Sequence, residues 1–295
     1  MSDYYSLGLI GYPLEHSLSP RIHMAALQEL DLAGEYRLYP VERPSGIATL
    51  LEEMRQGKID GLNVTIPYKN DILALLDEIT PAAREIGAVN TICCQKGKLV
   101  GDNTDAKGFL ADLDRLGWGK IGAPGNALVL GAGGSARAVV YALSRAGWRV
   151  AIAARRKEQS AALVKLIRKS IGEGSTIGQQ VALSAMKLDH KCISSLNPMP
   201  SLIINTTPVG MYPQVDVSPW PPELNFPSPA AVYDLVYNPA ETALMREARK
   251  MGLQVANGIG MLIEQAALSL EIWTGLPAPR QVMRQAVMEY SVAAS

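Results

Sequence analysis

The chain is predicted to be an α/β protein of two domains, and three observations carry that expectation. Strand and helix signals alternate from end to end, which favours parallel sheets over a sandwich or a bundle. A strand, a glycine-rich loop, a helix and a second strand follow one another over residues 126–156. The length of 295 residues, 48% of them hydrophobic and 19% charged, is enough for two cores.

The elements follow in order. Leu7–Ile10 reads as a strand ending at Gly11, and Ser19 with Pro20 opens a helix to about Leu30, proline being tolerated in the first turn. Tyr36–Val41 is strand-like, Ile47–Gln56 helical, and Gly61–Ile66 a strand that stops at Pro67. A helix is expected over about Asp71–Leu76, and Thr80 before Pro81 looks like a cap. Val89–Cys94 and Lys98–Val100 form a hairpin around Gly97, Asp105–Leu116 is helical, and the glycine-rich stretch Gly117–Gly125 connects onward. Later strands are expected at Leu202–Asn205, Ala231–Leu235 and Leu253–Ala256. The proline-rich segment 215–229 is irregular, and helices over Met261–Thr274 and Arg280–Tyr290 close the chain.

The unit at 126–156 carries a ligand signal. Leu128, Val129 and Leu130 continue an apolar run suited to a buried parallel strand, and Gly131 permits a tight turn out of it. Gly133 leaves room for a pyrophosphate, and Ala136 fills the third small position, where helix and strand pack closely. The amides that open the helix point at the anion, and Gly147 suits its end. Arg149–Ala154 is the next strand, followed by Arg155, Arg156 and Lys157. An acidic residue about 20 positions past the glycines would accept the ribose 2′-hydroxyl of NAD, whereas arginine suits a 2′-phosphate. The unit therefore reads as a Rossmann-type, doubly wound NADP domain.

Composition narrows the remaining classes. Basic and acidic residues balance at 28 each with a pI near 6.8, so no electrostatic case for nucleic acid arises. Asp3 stands at a start with no basic-then-apolar pattern, and no apolar run reaches about 18 residues. A cytoplasmic location without membrane attachment is expected. Cys93 and Cys94 are adjacent in a strand-like segment, which suits small buried side chains better than a disulfide framework or a zinc site, so no metal is expected.

Polar residues cluster in the first hundred positions. His16, Ser17 and Ser19 sit at a strand-to-helix transition, Asn63 and Thr65 precede Pro67 and Lys69, and Asn90 and Thr91 follow Gly87. Gly101, Asp102, Asn103, Thr104 and Asp105 form a further knot. Singly, each has a structural reading: Ser19 as a helix cap, Asn90 and Asn103 as turn closers, Lys69 as a solvated residue. Together, hydroxyls, amides, one lysine and one aspartate at the ends of parallel strands suit a small polyhydroxylated ligand.

These blocks, in this order, resemble the shikimate dehydrogenase family. The segments that carry the likeness are His16-Ser17-Leu18-Ser19-Pro20, Asn63-Val64-Thr65-Ile66-Pro67-Tyr68-Lys69, Gly87-Ala88-Val89-Asn90-Thr91, Gly101-Asp102-Asn103-Thr104-Asp105 and Gly131-Ala132-Gly133-Gly134-Ser135-Ala136. Asn205 to Met211, Tyr237-Asn238-Pro239 and Gly258 to Gln265 extend it over nearly the whole chain. The resemblance implies reversible NADPH-dependent reduction of 3-dehydroshikimate to shikimate, with Lys69 and Asp105 as the catalytic pair. It further implies that Ser17, Ser19, Thr65, Asn90, Asp105 and Gln265, with Tyr237 beside them, hold the substrate. Gly131, Ala132, Gly133, Gly134 and Ser135 would take the pyrophosphate, Arg155 and Arg156 the 2′-phosphate, and Leu235 and Gly258 would border the nicotinamide.

Two segments depart from the family pattern. Ala154, Arg155 and Arg156 stand where asparagine, arginine and threonine are frequent, and Asn257 stands where aspartate is common. They bear on cofactor preference rather than reaction type. The alternatives are a quinate/shikimate dehydrogenase using NAD, which usually carries an acidic residue in place of Arg155 and Arg156, and a non-catalytic NADP-sensing module on the same fold. The expected organisation is a substrate domain over 1–104, completed by C-terminal helices over 259–295, and an NADP domain over 105–258, with the site in the cleft between them. Substrate and cofactor are the expected partners, and the chain is expected to be a monomer or a homodimer.

Overall fold

The computed structural model describes residues 4–120, 125–172 and 182–293; part of the expected connector at 117–125 lies outside them. The chain divides into two units, Met1–Gly108 with Leu262–Ser295, and Phe109–Met261.

The first unit holds a mixed sheet of β1 (Tyr5–Gly11), β2 (Gly34–Pro40), β3 (Gly61–Val64), β4 (Glu78–Ile79), β5 (Thr91–Gln95) and β6 (Lys98–Asp102). The strand order is β2-β1-β3-β5-β6-β4. β1 runs parallel to β2 and β3, while the β5–β6 hairpin is antiparallel to β3, with Asn63 opposite Thr91. Helices α1 (Ser19–Glu29), α2 (Ser45–Arg55) and α3 (Pro81–Ile86) are joined by α9 (Ile259–Thr274) and α10 (Arg280–Ala293) from the far end of the chain. Their apolar faces follow from sequence spacing: α1 buries Ile22, His23, Ala26 and Leu27, and α2 buries Ile47, Leu50, Leu51 and Met54. The helix expected near Asp71 is a short 3-10 turn over Asp71–Leu75, and β4 was not foreseen because it pairs through only two residues.

The second unit holds six parallel strands: β7 (Asn126–Leu130), β8 (Arg149–Ala154), β9 (Leu183–Lys187), β10 (Leu202–Asn205), β11 (Ala231–Asp234) and β12 (Gln254–Asn257). Their order, β12-β11-β10-β7-β8-β9, is the doubly wound arrangement whose switch point falls between β7 and β10. Between the strands run α5 (Gly134–Arg145), α6 (Lys157–Gly172), α7 (His190–Ser194) and α8 (Ala243–Lys250), while α4 (Asp105–Arg115) spans the boundary after Gly108. The sequence reading passed over α6, β9, α7 and α8. For α6 the signal was present, since Ser160, Leu163, Val164, Ile167 and Ile171 form a buried stripe at helical spacing. Leu128, Leu130, Ile203, Val232 and Leu244 centre the core of this unit. No helix among the described residues is long and apolar enough to cross a membrane.

His23 is the unusual core residue. Its ring is fully buried, stacked on Tyr36 at 4.3 Å and tilted against Trp273 at 5.4 Å. Neither ring nitrogen has a hydrogen-bond partner, and burial, only partly offset by the neighbouring Asn63, lowers its pKa to about 3. Folding therefore favours the neutral ring. That preference contributes stability above the unfolded value of about 6.5, and the contribution is lost as pH falls from there toward 3. At full loss it is on the order of 5 kcal/mol. His23→Leu should move the acid-unfolding midpoint, followed by circular dichroism, to lower pH; an unchanged midpoint would exclude His23 as a source of acid sensitivity.

Candidate active site

The C-terminal ends of the parallel strands β1 and β3 lead into loops that carry Ser17, Thr65 and Lys69. These loops are tied together. The Thr65 amide donates to the Ile10 carbonyl at 2.8 Å and the Tyr12 amide to the Ile66 carbonyl at 3.0 Å. Ser17 is half-buried, and its hydroxyl accepts the Ser19 amide at 3.3 Å as α1 begins. Ser19 is thus the first residue of the helix; Leu18 occupies the cap position, which makes no side-chain cap. The capping reading of Ser19 is corrected: it does not occupy the cap position of α1.

Lys69 lies just beyond β3, where the backbone is anchored by the Val89 amide donating to the Lys69 carbonyl at 2.8 Å. Asp105 opens α4 and is buried. The Lys69 ammonium meets Asp105 Oδ2 at 2.6 Å, the side chains being 15% and 5% exposed, so this is a nearly enclosed ion pair. Removing one partner of such a pair would strand the other. Asp105 Oδ1 accepts from Asn90 Nδ2 at 2.9 Å, and the same amide nitrogen lies 3.1 Å from Gln265 Oε1 and 2.8 Å from Thr104 Oγ1. Lys69, Asp105, Asn90 and Gln265 therefore form one hydrogen-bonded set drawn from both ends of the chain. Among the described residues, Ser17 and Thr65, on the adjoining loops, and Ser19, at the start of α1, make no hydrogen bond to that set.

Gln265 reaches Asn90 because α9 packs very close to α4. A Cβ on Gly108 would lie 2.7 Å from the Gln265 amide nitrogen, so that position has no space for a side chain. Asn103 keeps its structural role: its Oδ1 accepts the Ala106 amide at 3.3 Å and its Nδ2 donates to the Ala88 carbonyl at 2.9 Å.

The second unit presents a different surface. Gly131 has φ +112°, and a Cβ there would fall 2.6 Å from Thr206 Oγ1, so both conformation and space require glycine. Ala132, Gly134 and Ser135 are partly exposed, and a Cβ on Gly133 would meet nothing within 4 Å. No side chain caps the start of α5. An open glycine loop before an uncapped helix fits an incoming pyrophosphate. Arg155 and Arg156 follow β8, are exposed, and form no ion pair among the described residues, so their guanidinium groups are available to a further phosphate. The backbone of Gly258 passes against Leu235, too close to admit a side chain, with the Gly258 amide 3.3 Å from the Val236 carbonyl. Tyr237, half-buried, belongs to this unit. Among the described residues no group of three or more His, Cys, Asp or Glu could hold a metal ion; Cys93, Cys94 and Cys192 are free thiols.

Asp234 is a functional candidate that the sequence reading did not select. Leu130, Asn205, Asp234 and Asn257 stand in register across the ends of β7, β10, β11 and β12. Asp234 is fully buried and accepts from Asn205 Nδ2 at 2.8 Å, the Val236 amide at 3.0 Å and Thr242 Oγ1 at 2.6 Å. Asn205 in turn accepts from the Thr207 amide and hydroxyl, so one carboxylate fixes the loops after β10 and β11 and the start of α8. A lone acid at the end of an apolar strand was the available signal. Burial raises its pKa from 3.8 to about 6, against the three hydrogen bonds that pull it down.

Comparison with known proteins adds a second line of observation. The profile described as "Shikimate dehydrogenase substrate binding domain" matches residues 9–92, and that of the "Shikimate 5'-dehydrogenase C-terminal domain" matches residues 258–288. A relative from Geobacter metallireducens named shikimate dehydrogenase (NADP(+)) is 42% identical over 288 residues, spanning 96% of this chain and 95% of its own. The crystal structure of shikimate 5-dehydrogenase from Thermus thermophilus in complex with NADP(H) and shikimate is 38% identical, with a TM-score of 0.83, covering 97% of this chain and 99% of that one. Quinate dehydrogenase from Corynebacterium glutamicum in complex with NAD is 30% identical, with a TM-score of 0.84 over 98% of this chain and 100% of its own.

The raised carboxyl of Asp234 has a testable consequence. Because its folded pKa of about 6 lies above the unfolded value, its contribution to stability is complete below about pH 4 and is lost as pH rises through 6. The charged form above that pH costs about 3 kcal/mol. In Asp234→Asn the Oδ1 acceptor is retained and the Thr242 hydroxyl can turn to accept, so the variant keeps the contacts without the charge. The melting temperature of Asp234→Asn relative to the unsubstituted protein should rise between pH 4 and 7; a difference independent of pH would rule the charge out.

Proposed function

The chain belongs to the shikimate dehydrogenase family, and we propose from that premise a division of labour among its own residues. It is an NADP-dependent oxidoreductase that interconverts 3-dehydroshikimate and shikimate in aromatic amino-acid biosynthesis. The first unit takes the substrate and the second the cofactor. The observation that carries this assignment is the enclosed Lys69–Asp105 pair held by Asn90.

The bound dinucleotide supplies or accepts the hydride. As a ketone is reduced, negative charge grows on its oxygen, and the Lys69 ammonium stabilises that charge and donates the proton. In the reverse direction Lys69 receives the proton from the shikimate hydroxyl. Asp105, at 2.6 Å, fixes the ammonium and accepts a hydrogen bond from a neighbouring substrate hydroxyl. Asn90 and Gln265 hold the ring hydroxyls, and Ser17, Ser19 and Thr65, with Tyr237, hold the carboxylate. Hydroxyl donors suit that anion because each gives one directed hydrogen bond.

Gly131 to Ser135 receive the pyrophosphate, Leu235 and Gly258 border the nicotinamide, and Arg155 with Arg156 clasp the 2′-phosphate. Two exposed guanidinium groups favour NADP over NAD and argue against the quinate dehydrogenase reading, although that enzyme shares the fold. The reading requires no partner beyond substrate and cofactor, suits the cytoplasm, and is met by a monomer or a homodimer.

The defining experiment follows the absorbance of the reduced nicotinamide with shikimate or quinate crossed against NADP or NAD; only shikimate with NADP should turn over efficiently. Lys69→Ala should lower kcat by about 10²- to 10⁴-fold with a much smaller change in the KM for shikimate, and an unaltered kcat would refute its role. Arg155→Ala should raise the KM for NADPH by about tenfold, in keeping with loss of one charge-assisted hydrogen bond, and leave NADH nearly unaffected. Equal losses for both cofactors would contradict the phosphate assignment.

A further inference from the structure

Behind the residues assigned to the substrate lies a second, wholly enclosed set of polar side chains. Asn63, on β3, is 4% exposed, Tyr36 is 6% exposed, and Ser269, on α9, has no exposure; the hydrogen bonds of Asn63 and Ser269 go to protein groups. Two backbone groups fix which way the side-chain amides of Asn63 and Asn90 point. The Asn90 carbonyl can only accept, so the Asn63 atom 3.1 Å from it is the amide nitrogen, and Asn63 Oδ1 must take the Tyr36 hydroxyl proton at 2.8 Å. The Thr104 amide can only donate, so the Asn90 atom 2.8 Å from it is Oδ1, and Asn90 Nδ2 must face Asp105 and Gln265.

The two anchors are joined by hydroxyls. Asn63 Nδ2 lies 3.0 Å from Ser269 Oγ and 3.3 Å from Thr91 Oγ1, and these hydroxyls are 2.8 Å apart. Thr91 Oγ1 donates to Asn90 Oδ1 at 3.0 Å, while Ser269 Oγ donates to the Gln265 carbonyl at 3.0 Å, one helical turn back. Asn63 therefore governs two neighbours of the reacting groups at once: the amide of Asn90 through Thr91, and the backbone that carries Gln265 through Ser269. Turning the Asn63 amide over would set its oxygen against the Asn90 carbonyl, and turning Asn90 over would set its nitrogen against the Thr104 amide, both costly in a buried site.

We propose that Asn63 and Ser269 are positioning residues for the shikimate reaction, holding Asn90 and Gln265 in the orientation that presents Asp105 and Lys69 to the substrate. This rests on the functional reading above. Truncating Asn63 removes the donor shared by the Asn90 carbonyl and the Thr91 and Ser269 hydroxyls, so the backbone at Asn90 and the Thr91 hydroxyl that donates to Asn90 Oδ1 lose their anchor. It also removes an acceptor of the Tyr36 hydroxyl, whereas Ser269→Ala removes one hydroxyl and leaves Asn63 with two of its three acceptors. The effect should thus be graded.

The test measures initial rates with shikimate and NADP, per folded molecule counted by circular dichroism, well below the melting temperature of each variant. Asn63→Ala should lower kcat/KM for shikimate by about ten- to a hundredfold, and Ser269→Ala by a smaller factor, both with an unchanged KM for NADP. Ser269→Thr, which restores the hydroxyl, should recover most of the loss. Full activity per folded molecule in Ser269→Ala and Asn63→Ala would overturn the proposal, as would equal loss in the NADP and shikimate parameters, which marks general destabilisation. If Asn63→Ala does not fold, the Ser269→Ala and Ser269→Thr pair decides alone. Absence of shikimate turnover in the unsubstituted protein would instead sink the functional reading, so the two failures are distinguishable.

Discussion

The side-chain amide of Asn90 is the constraint on which the first unit depends. One face of it accepts from the Thr104 amide, which cannot do anything but donate, and the other is thereby committed to Asp105 and Gln265. In a nearly dry interior an amide turned the wrong way would lose several hydrogen bonds together, so the orientation is held strongly. The Lys69–Asp105 pair inherits that rigidity. A carboxylate free to swing would let the ammonium follow it.

The second unit solves a related problem with a charge instead of an amide. Asp234, in register with Asn205 across the sheet, gathers donors from the end of β10, the loop after β11 and the start of α8, and burial of the carboxyl raises its pKa against their pull. The gain is geometric: Asn205 and its loop abut Gly131, where Thr206 leaves no space for a side chain. The loops that would surround a dinucleotide are thus braced by groups that never meet it. In both units buried polar groups set the directions of the loops and side chains in front of them.

Much of this was legible in the sequence, for reasons that differ by element. The strands of the second unit and the glycine loop announced themselves because a parallel sheet leaves uninterrupted apolar runs and the tight turn at Gly131 demands one residue type. Lys69, Asp105 and Asn90 could be picked out because they lay in recognisable blocks. Helix α6 was missed although its stripe is regular, since the basic cluster that precedes it masks where the stripe begins. β4 could not be read at all, as two residues carry no period. Ser269 was invisible for a different reason: a serine within an apolar helix is usually an ordinary packing residue, and its partners Asn63 and Thr91 are about 200 positions away in sequence. Asp234 had a signal, a single acid ending an apolar strand, whose meaning depended on neighbours supplied by other strands.

The division of the chain falls inside α4 and α9, so the first unit is assembled from both termini. During synthesis on the ribosome its six strands are complete long before Gln265 and Ser269 exist. Until then Asn63 and Thr91 face water or transient partners, and the Gly108 face of α4 has nothing packed against it. The substrate unit must therefore wait for the cofactor unit to be translated before its interior can close. Helix α9 acts as a keystone, and a ribosome that stops short of it releases a chain in which Asn90 lacks Gln265 and Asn63 lacks Ser269.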